Sequence, residues 1–176
     1  TCIDIGSDTS DISIWQDNKR LHQCSLKFAG RDLLSNILEL RPDFVAKHFD
    51  RPPDEWIGVR RADFHRKLDV LLRWESERWL RQKRPALNNS EDALALFRLM
   101  AIGFGGLYYY VGLVIKALIE QGKYTKNWST PVYLGGSGSR LIHWVEATGQ
   151  FSRHSDVILF LSRFLSLGVC LLDSEE

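Results

Sequence analysis

The hydrophobic pattern at the start of the chain predicts three short strands. Residues 2–5 form a brief run typical of a buried strand, and residues 11–15 alternate polar and apolar side chains, as a half-exposed strand does. Turn-forming residues at 16–19 lead into a third strand over 20–28. We therefore predict an antiparallel meander in this part of the protein.

The rest of the chain has a mainly helical pattern. Asp32 can cap a short helix over 33–38, and the apolar side of 66–84 indicates an amphipathic helix. Residues 88–90 are a capping signal for a long helix that ends near Gly122. The remaining predicted elements are a short buried strand at 131–134, a helix that opens at 140 and a helix within 157–172.

The long helix is apolar enough to raise the question of a membrane span. Residues 99–115 are 17 positions without a charged side chain, flanked by Arg98 and Lys116. That length is at the short limit for crossing the hydrocarbon of a bilayer, and the run contains four glycines. We predict a buried central helix and no association with a membrane. Its glycines would let another backbone, most simply a sheet face, approach closely.

Residues 41–90 differ in composition from the flanking chain. They hold four of the five prolines and 12 basic against 8 acidic residues, a charge of +4, whereas the remainder (11 basic, 14 acidic) carries −3. We predict an inserted, mostly helical subdomain at 41–90 and a core made of 1–40 and 91–176. The order of strands and helices predicts an α/β fold, with a mixed sheet and flanking helices.

Composition and charge limit the class of protein. The 176 residues are 44% hydrophobic, which suits one ordinary domain. The 23 basic and 22 acidic side chains nearly cancel, which disfavours a nucleic-acid-binding protein. Three cysteines without CxxC spacing and five histidines without metal-ligand spacing argue against a zinc site and favour the cytoplasm. Because the chain starts within a strand pattern, we expect it to be a piece of a longer protein.

The first candidate site is the turn between the first two strands, Asp4-Ile5-Gly6-Ser7-Asp8-Thr9-Ser10-Asp11. Its backbone N–H groups and the Ser7 and Thr9 hydroxyls suit a phosphate. Asp4 suits the orientation of a hydrated Mg²⁺, which takes few carboxylates together with phosphate oxygens and water. The alternative is an ordinary hairpin turn whose polar side chains satisfy their own backbone.

The second candidate site is Leu134-Gly135-Gly136-Ser137-Gly138-Ser139-Arg140, between a predicted strand and a predicted helix. The glycines permit close backbone approach and the helix N-terminus offers free N–H groups, so part of a nucleotide can lie over this turn. The alternative is a glycine-rich connection chosen for its backbone angles alone. The segment does not match the dinucleotide-binding fingerprint in register.

The order of these segments carries more information than either one. An Asp-x-Gly-x-x-Thr-x-Asp hairpin and a third strand with Phe28-Ala29-Gly30-Arg31-Asp32 precede an insertion, a long helix and a strand–Gly-Gly–helix unit. This order resembles the second lobe of the actin, sugar-kinase and heat-shock-chaperone ATPase superfamily, over most of 1–34 and 91–146. The resemblance implies a ribonuclease-H-like sheet and an ATP-binding cleft between two similar lobes.

The resemblance also implies roles for individual residues. Asp4 would be the catalytic carboxylate that orients Mg²⁺-bound water, and the Gly6–Thr9 turn would contact the β- and γ-phosphates. The positions that match the second phosphate motif are Asp4, Gly6, Thr9 and Asp11, with Ser7 inside the turn. The positions that match the adenosine motif are Leu134, Gly135, Gly136, Ser137 and Ser139. Lys83 and Arg84, on a basic helix of the insertion, would cover the adenine and ribose; the alternative for that run is a solvated helical face.

Two departures from the family pattern change what we expect of the chain. Ser7 and Asp8 stand where the family turn is usually glycine-rich, and the Asp8 charge would repel a γ-phosphate unless Mg²⁺ or a lysine intervenes. The first lobe, with its own phosphate motif, is absent. Since phosphoryl transfer needs charge stabilisation from all sides, the chain alone would bind ATP and Mg²⁺ weakly and hydrolyse ATP hardly at all.

We therefore expect the nucleotide-binding C-terminal lobe of a larger cytoplasmic ATPase, whose partner is its own missing N-terminal lobe. One alternative is a degenerate scaffold or filament-interaction module without ATP turnover. Another is a small-molecule kinase of the same superfamily. Residues 41–90 are the candidate surface for self-association or for a protein partner.

Overall fold

The computed structural model describes residues 1–41, 44, 45, 47, 58–74, 90–125, 131–146 and 154–170, and at 69–74 it describes the backbone alone. The strands are β1 (Cys2–Ile5), β2 (Ser10–Gln16), β3 (Lys19–Leu26) and β4 (Tyr133–Gly135). A π-helical turn at Arg31–Ser35 leads directly into α1 (Asn36–Glu39), and a 3₁₀ turn at Ser137–Leu141 leads into α4 (Ile142–Glu146). The remaining helices are α2 (Arg61–Trp74), α3 (Glu91–Glu120) and α5 (His154–Cys170).

The four strands of the described chain form one mixed sheet in the order β3-β2-β1-β4. Strands β1, β2 and β3 are joined antiparallel, as the meander prediction requires, and β4 runs parallel to β1. The predicted turn at 16–19 is confirmed, with Asp17 and Asn18 both at positive φ (50° and 62°), the combination that a tight two-residue hairpin needs. The prediction of an α/β fold with a mixed sheet and flanking helices is confirmed at this level.

One face of the sheet is buried and the other is open. Ile3, Ile5, Ile12 and Ile14 are fully buried, whereas the alternate positions on β1 and β2 are exposed or half-buried. The predicted strand at 2–5 is present, but it is buried only at Ile3 and Ile5, because Cys2 and Asp4 are exposed. The strand predicted at 131–134 is present at Tyr133–Gly135, but it is exposed or half-buried and not buried as predicted. Among the described residues β4 pairs only with β1, and Tyr133 on it is 64% exposed.

Helix α3 is the central helix of the core, as predicted. Ser90 caps it, and its Oγ accepts a hydrogen bond from the Ala93 N–H at 3.4 Å. Buried side chains lie along its whole length, from Ala93 to Leu118. By length and composition it is also long and apolar enough to cross a bilayer, and 44% of its most apolar stretch is buried in the protein. The core helix of a soluble protein meets the same criteria.

Two glycines of α3, Gly105 and Gly112, lie against helix α5, whereas Gly103 lies against the Leu33 and Phe28 side chains. A Cβ on Gly112 would overlap the Leu165 carbonyl oxygen and would lie 2.9 Å from the Gly168 Cα. Gly112 and Gly168 let the backbones of α3 and α5 cross in near contact. The prediction of a sheet partner was therefore wrong for Gly105 and Gly112, because helix α5 lies against both. A Cβ on Gly106 would meet nothing within 4 Å.

Helix α2 lies within the predicted insertion at 41–90 and packs on the core. It begins at Arg61 and not at the predicted residue 66, and it buries Phe64 and Leu68 in the same hydrophobic cluster as the sheet. The buried His65 shares the Glu39 carboxylate with Arg61, at 2.9 Å and 3.0 Å. The later part of the predicted helix, residues 75–84, lies outside the described residues.

The turn that leads into α1 differs from its prediction in one respect. Asp32 does not cap the helix, because it lies inside the first turn. Its carboxylate points back along the chain and accepts hydrogen bonds from the Ala29 N–H (3.0 Å) and the Asn36 side-chain amide (2.9 Å). Asp32 thereby holds the loop between β3 and α1 in shape, which matters for the candidate site.

Candidate functional site

The parallel pairing of β1 with β4 brings the two candidate segments together. In the register of the two strands, Asp4 lies opposite Gly135. Parallel neighbours end at the same edge of a sheet. The Gly6–Thr9 turn that follows β1 and the glycine-rich turn that follows β4 are therefore neighbours, although about 130 residues separate them in sequence. We call this region, residues 4–11, 30–31 and 135–139, the candidate site.

The Gly6–Thr9 turn is held by its own backbone and by the loop that follows β3. The Gly6 N–H donates to the Thr9 carbonyl (2.9 Å), and the Gly30 N–H donates to the Gly6 carbonyl (3.0 Å). The Arg31 N–H donates to the Ser7 carbonyl (2.9 Å). The turn thus has a fixed backbone on two sides.

Three consecutive N–H groups remain available at the tip of this turn. Ser7, Asp8 and Thr9 are exposed, and within the described ranges their backbone N–H groups donate to no protein acceptor. Consecutive free N–H groups in a turn form a concave site for an anion. The backbone geometry of the turn is therefore compatible with a phosphate group.

At Gly136 and Gly138 the turn after β4 packs so closely on β1 that there is no room for a Cβ. Gly136 has φ 76° and ψ 166°, a region that essentially only glycine adopts. A Cβ there would overlap the Ile5 carbonyl oxygen, and a Cβ on Gly138 would lie 2.5 Å from Ile5 Cγ2 and 2.9 Å from the Gly6 oxygen. A Cβ on Gly30 would lie 3.0 Å from the same Gly6 oxygen. Three backbone segments therefore meet at the end of β1 with no side chain between them.

The Asp4 carboxylate lies at the seam between the two segments. Its Oδ1 is close to Gly136, and it lies 3.7 Å from where a Gly135 Cβ would be. Within the described ranges no protein donor bonds to this carboxylate, and the side chain is exposed. Asp11 lies directly opposite Asp4 on β2 and accepts a hydrogen bond from Ser25 Oγ. Asp4 is the carboxylate of the pair that is available to water or to a cation.

The Asp8 side chain folds across the tip of the turn. One of its oxygens accepts from Arg31 Nη1 at 2.7 Å, and the other accepts from Ser7 Oγ at 3.0 Å. The charge that the sequence places in the turn is therefore paired with an arginine. Arg31 enters the site from the loop after β3, which Asp32 holds in shape.

The structure brings most of the predicted site residues into one region. These are Asp4, Gly6, Ser7, Thr9, Asp11, Gly135, Gly136, Ser137 and Ser139. Ser139 is used locally, since its Oγ donates to the Gly136 carbonyl at 2.7 Å, as in the alternative of a self-satisfied turn. Ser137 is exposed beside it. Lys83 and Arg84 lie outside the described residues.

Two contributors to the site are not among the predicted site residues. Gly138 is the next glycine after the Gly135-Gly136 pair, and a third glycine so close in sequence is a signal of close packing. Arg31 belongs to the segment Phe28-Ala29-Gly30-Arg31-Asp32, but no local spacing indicates that it reaches Asp8, which is 23 residues away. Its position follows only from the pairing of β2 with β3.

The donor set fits a metal that reaches the protein through water and phosphate. Among the described residues there is no group of three or more histidine, cysteine or carboxylate side chains that would hold an ion directly. Mg²⁺ in nucleotide sites needs only one or two carboxylates, because phosphate oxygens and water complete its shell. One available carboxylate beside a turn with free N–H groups meets that requirement.

Comparisons of the chain with protein-family models, with curated proteins and with solved structures each give no significant match. The functional argument therefore depends on the geometry of the site.

Proposed function

We propose that this chain is the nucleotide-binding C-terminal lobe of an actin-like or chaperone-like ATPase. The observation that carries the proposal is the parallel register in which Asp4 lies opposite Gly135. Two segments that resemble the phosphate and adenosine motifs of that superfamily are neighbours at one edge of one sheet. If the two resemblances arose by chance, there would be no reason for the two loops to be neighbours in the fold.

The sheet supports the proposal. A ribonuclease-H-like sheet begins with an antiparallel meander whose first strand then pairs in parallel with the fourth. The order β3-β2-β1-β4, with only β2 running against the others, agrees with that arrangement. The long helix α3 lies in sequence between the meander and β4, as a crossover connection does.

Each part of the site has a role that its geometry suits. The N–H groups of Ser7, Asp8 and Thr9 bind phosphate oxygens, and Asp4 would orient water bound to Mg²⁺. Gly135, Gly136 and Ser137 present a backbone surface on which the adenosine lies, because glycines leave no Cβ in its way. Mg²⁺, when bound, neutralises phosphate charge beside the carboxylates.

The chain supplies one wall of a cleft. Phosphoryl transfer depends on positioning and on charge stabilisation around the whole phosphate. The missing N-terminal lobe supplies the opposite wall in this proposal. The isolated chain therefore binds Mg-ATP weakly and turns it over hardly at all, whereas the full-length protein binds and hydrolyses it.

The test is a titration of the full-length protein with Mg-ATP, combined with the variant Asp4→Asn. Wild-type protein is expected to bind Mg-ATP, and Asp4→Asn is expected to lower the hydrolysis rate by about a hundredfold or more while ATP still binds. Asp17→Asn, which makes the same charge change in the distant β2–β3 turn, is the matched control and should hydrolyse ATP as the wild type does. Failure of the wild-type protein to bind Mg-ATP would refute the proposal.

A second candidate function is a scaffold or interaction module without turnover. The observation that favours it is a pair of apolar side chains on the outer face of α3, Leu99 (51% exposed) and Ile102 (63% exposed). Asp4→Asn separates the two functions. An ATPase loses its activity, whereas a scaffold that binds its partner through Leu99 and Ile102 keeps its association behaviour.

A further inference from the structure

An ion pair crosses the tip of the Gly6–Thr9 turn, where the proposed function places a phosphate. Arg31 Nη1 and Asp8 Oδ1 are 2.7 Å apart, and Ser7 Oγ donates to Asp8 Oδ2 at 3.0 Å. The Asp8 carboxylate therefore takes up a guanidinium and a hydroxyl that are both good donors to a phosphate oxygen. It lies beside the three N–H groups that the turn leaves available.

The backbone fixes the base of the Arg31 side chain at this place. The Arg31 N–H donates to the Ser7 carbonyl, and the neighbouring Gly30 N–H donates to the Gly6 carbonyl. Since both ends of the contact belong to one hydrogen-bonded unit, the guanidinium stays within side-chain reach of the tip. A change of partner from Asp8 to a phosphate needs rotation of side chains and no movement of the backbone.

The pair is suited to exchange because it is weak. The Arg31 side chain is 36% exposed and the Asp8 side chain 63% exposed. Ion pairs between such exposed groups contribute little to stability, since water solvates both partners. A terminal phosphate carries more negative charge than a carboxylate and offers three oxygens, so it competes well for the same guanidinium.

We propose that Arg31 is a phosphate-binding residue of this site, and that Asp8 occupies it as an internal anion until the phosphate of a bound Mg-nucleotide takes its place. The inference rests on the proposed function, because it concerns the same site. Asp8 lowers the affinity for nucleotide in two ways: it holds the arginine and it repels the phosphate. The ligand is the β- or γ-phosphate of a nucleoside triphosphate.

A simpler role for Arg31 makes a different prediction. If Arg31 only neutralises Asp8, it matters only while Asp8 is charged. Removal of Arg31 then weakens binding in the wild-type protein, because Asp8 is left unpaired, but has no effect once Asp8 is neutral. If Arg31 binds the phosphate itself, its removal weakens binding in both backgrounds.

The experiment is a double-mutant cycle in the full-length protein, with Mg-ATP as the ligand and the equilibrium dissociation constant as the readout. Asp8→Asn alone is expected to tighten binding about three- to tenfold, from loss of a like charge several Å from the phosphate. Arg31→Gln is expected to weaken binding about tenfold or more, in the wild-type and in the Asp8→Asn background alike. Asp17→Asn, the matched charge control, should leave the dissociation constant unchanged.

Arg31→Lys keeps the charge and serves as the second variant if Arg31→Gln fails to fold. It is expected to bind Mg-ATP more weakly than the wild type, because an ammonium contacts phosphate without the bidentate fork. The inference is overturned if Arg31→Gln, or Arg31→Lys in its place, has no effect in the Asp8→Asn background. In that case the proposed function stands. If no variant and no wild-type protein binds Mg-ATP, the proposed function fails as well.

Discussion

The close packing of the turn after β4 makes Gly136 the position at which a single methyl group should do the most damage. Gly136 has φ 76° and ψ 166°, and a Cβ there would overlap the Ile5 carbonyl oxygen and lie 2.7 Å from the Ile5 carbonyl carbon. These two obstacles are backbone atoms of β1, which cannot rotate aside, and the Cβ would also overlap the Asp4 carboxylate. Gly136→Ala must either separate β4 from β1 or distort the turn.

The two terms of the cost can be worked separately. The backbone conformation costs a non-glycine residue about 1 to 3 kcal/mol. The overlap with backbone costs about another 1 to 3 kcal/mol, as in other overpacked interiors. The free energy of unfolding is therefore expected to fall by about 2 to 6 kcal/mol, which is a large part of the stability of an ordinary domain.

Two other glycines separate these terms. Gly122, at the end of α3, has φ +65° but a Cβ there would meet nothing within 4 Å, so Gly122→Ala should cost only the conformational term of about 1 kcal/mol. Gly106, on the exposed face of α3, has neither obstacle, so Gly106→Ala should stabilise the protein by about 0.5 to 1 kcal/mol. Urea denaturation at equilibrium measures all three variants on one scale. The reasoning is refuted if Gly136→Ala is no more destabilising than Gly122→Ala.

Three further predictions concern the core and the helix ends. Burial raises the pKa of Tyr108 to about 12, so an unfolded chain releases this proton near pH 10 and the folded protein does not. The free energy of unfolding should fall by about 2 to 3 kcal/mol from this group as the pH rises from 10 to 12. Tyr108→Phe should remove that part of the fall in alkaline urea titrations, and the exposed control Tyr133→Phe should not. Glu39→Ala leaves the Nε2 atom of the buried His65 without the Glu39 carboxylate. The free energy of unfolding should fall by about 1 to 3 kcal/mol, which thermal unfolding would detect. An unchanged midpoint of thermal unfolding would show that the contact is unimportant. Ser90→Ala should cost about 1 kcal/mol through loss of the α3 cap, and Ser90→Asp should retain the stability; equal values for both variants would contradict the capping role.

Local signals in the sequence predict the local elements well. The alternation at 11–15 and the turn at 16–19 indicate a hairpin because a strand has a period of two residues and because Asp17 and Asn18 tolerate positive φ. Ser90 marks the start of α3 because its side chain satisfies an N–H that the helix leaves unpaired. These features depend on residues that are near one another in the chain.

The predictions that were wrong concern features that depend on contacts with residues far away in the sequence. The outward orientation of Cys2 and Asp4 depends on which face of the sheet the helices cover, and a four-residue strand carries too little pattern to decide that. Gly112 signals close approach but not the partner, and only the fold shows that α5 takes it. The start of α2 at Arg61 follows from the burial of Phe64, which the periodicity of later residues does not reveal.

The candidate site also has a part that the local sequence predicts and a part that depends on residues far apart in the chain. The residue types at 4–11 and 135–139 predict two candidate sites for phosphate or nucleotide, each with an ordinary turn as the alternative. That Asp4 lies opposite Gly135 depends on a long-range parallel pairing, and that Arg31 reaches Asp8 depends on the loop after β3. Neither contact has a signal in the local sequence, although the order of the segments in the chain is compatible with both.

The central claim is that the turns at 6–9 and 135–139 form one nucleotide site. Amide hydrogen exchange of the full-length protein, with and without saturating Mg-ATP, tests it most directly, because the N–H groups of Ser7, Asp8 and Thr9 have no protein acceptor within the described ranges. Exchange is expected to slow in both turns when Mg-ATP binds, with no change in the distant turn at Asp17. Bound Mg-ATP that leaves exchange in both turns unchanged, or that slows it in one turn alone, would contradict the claim.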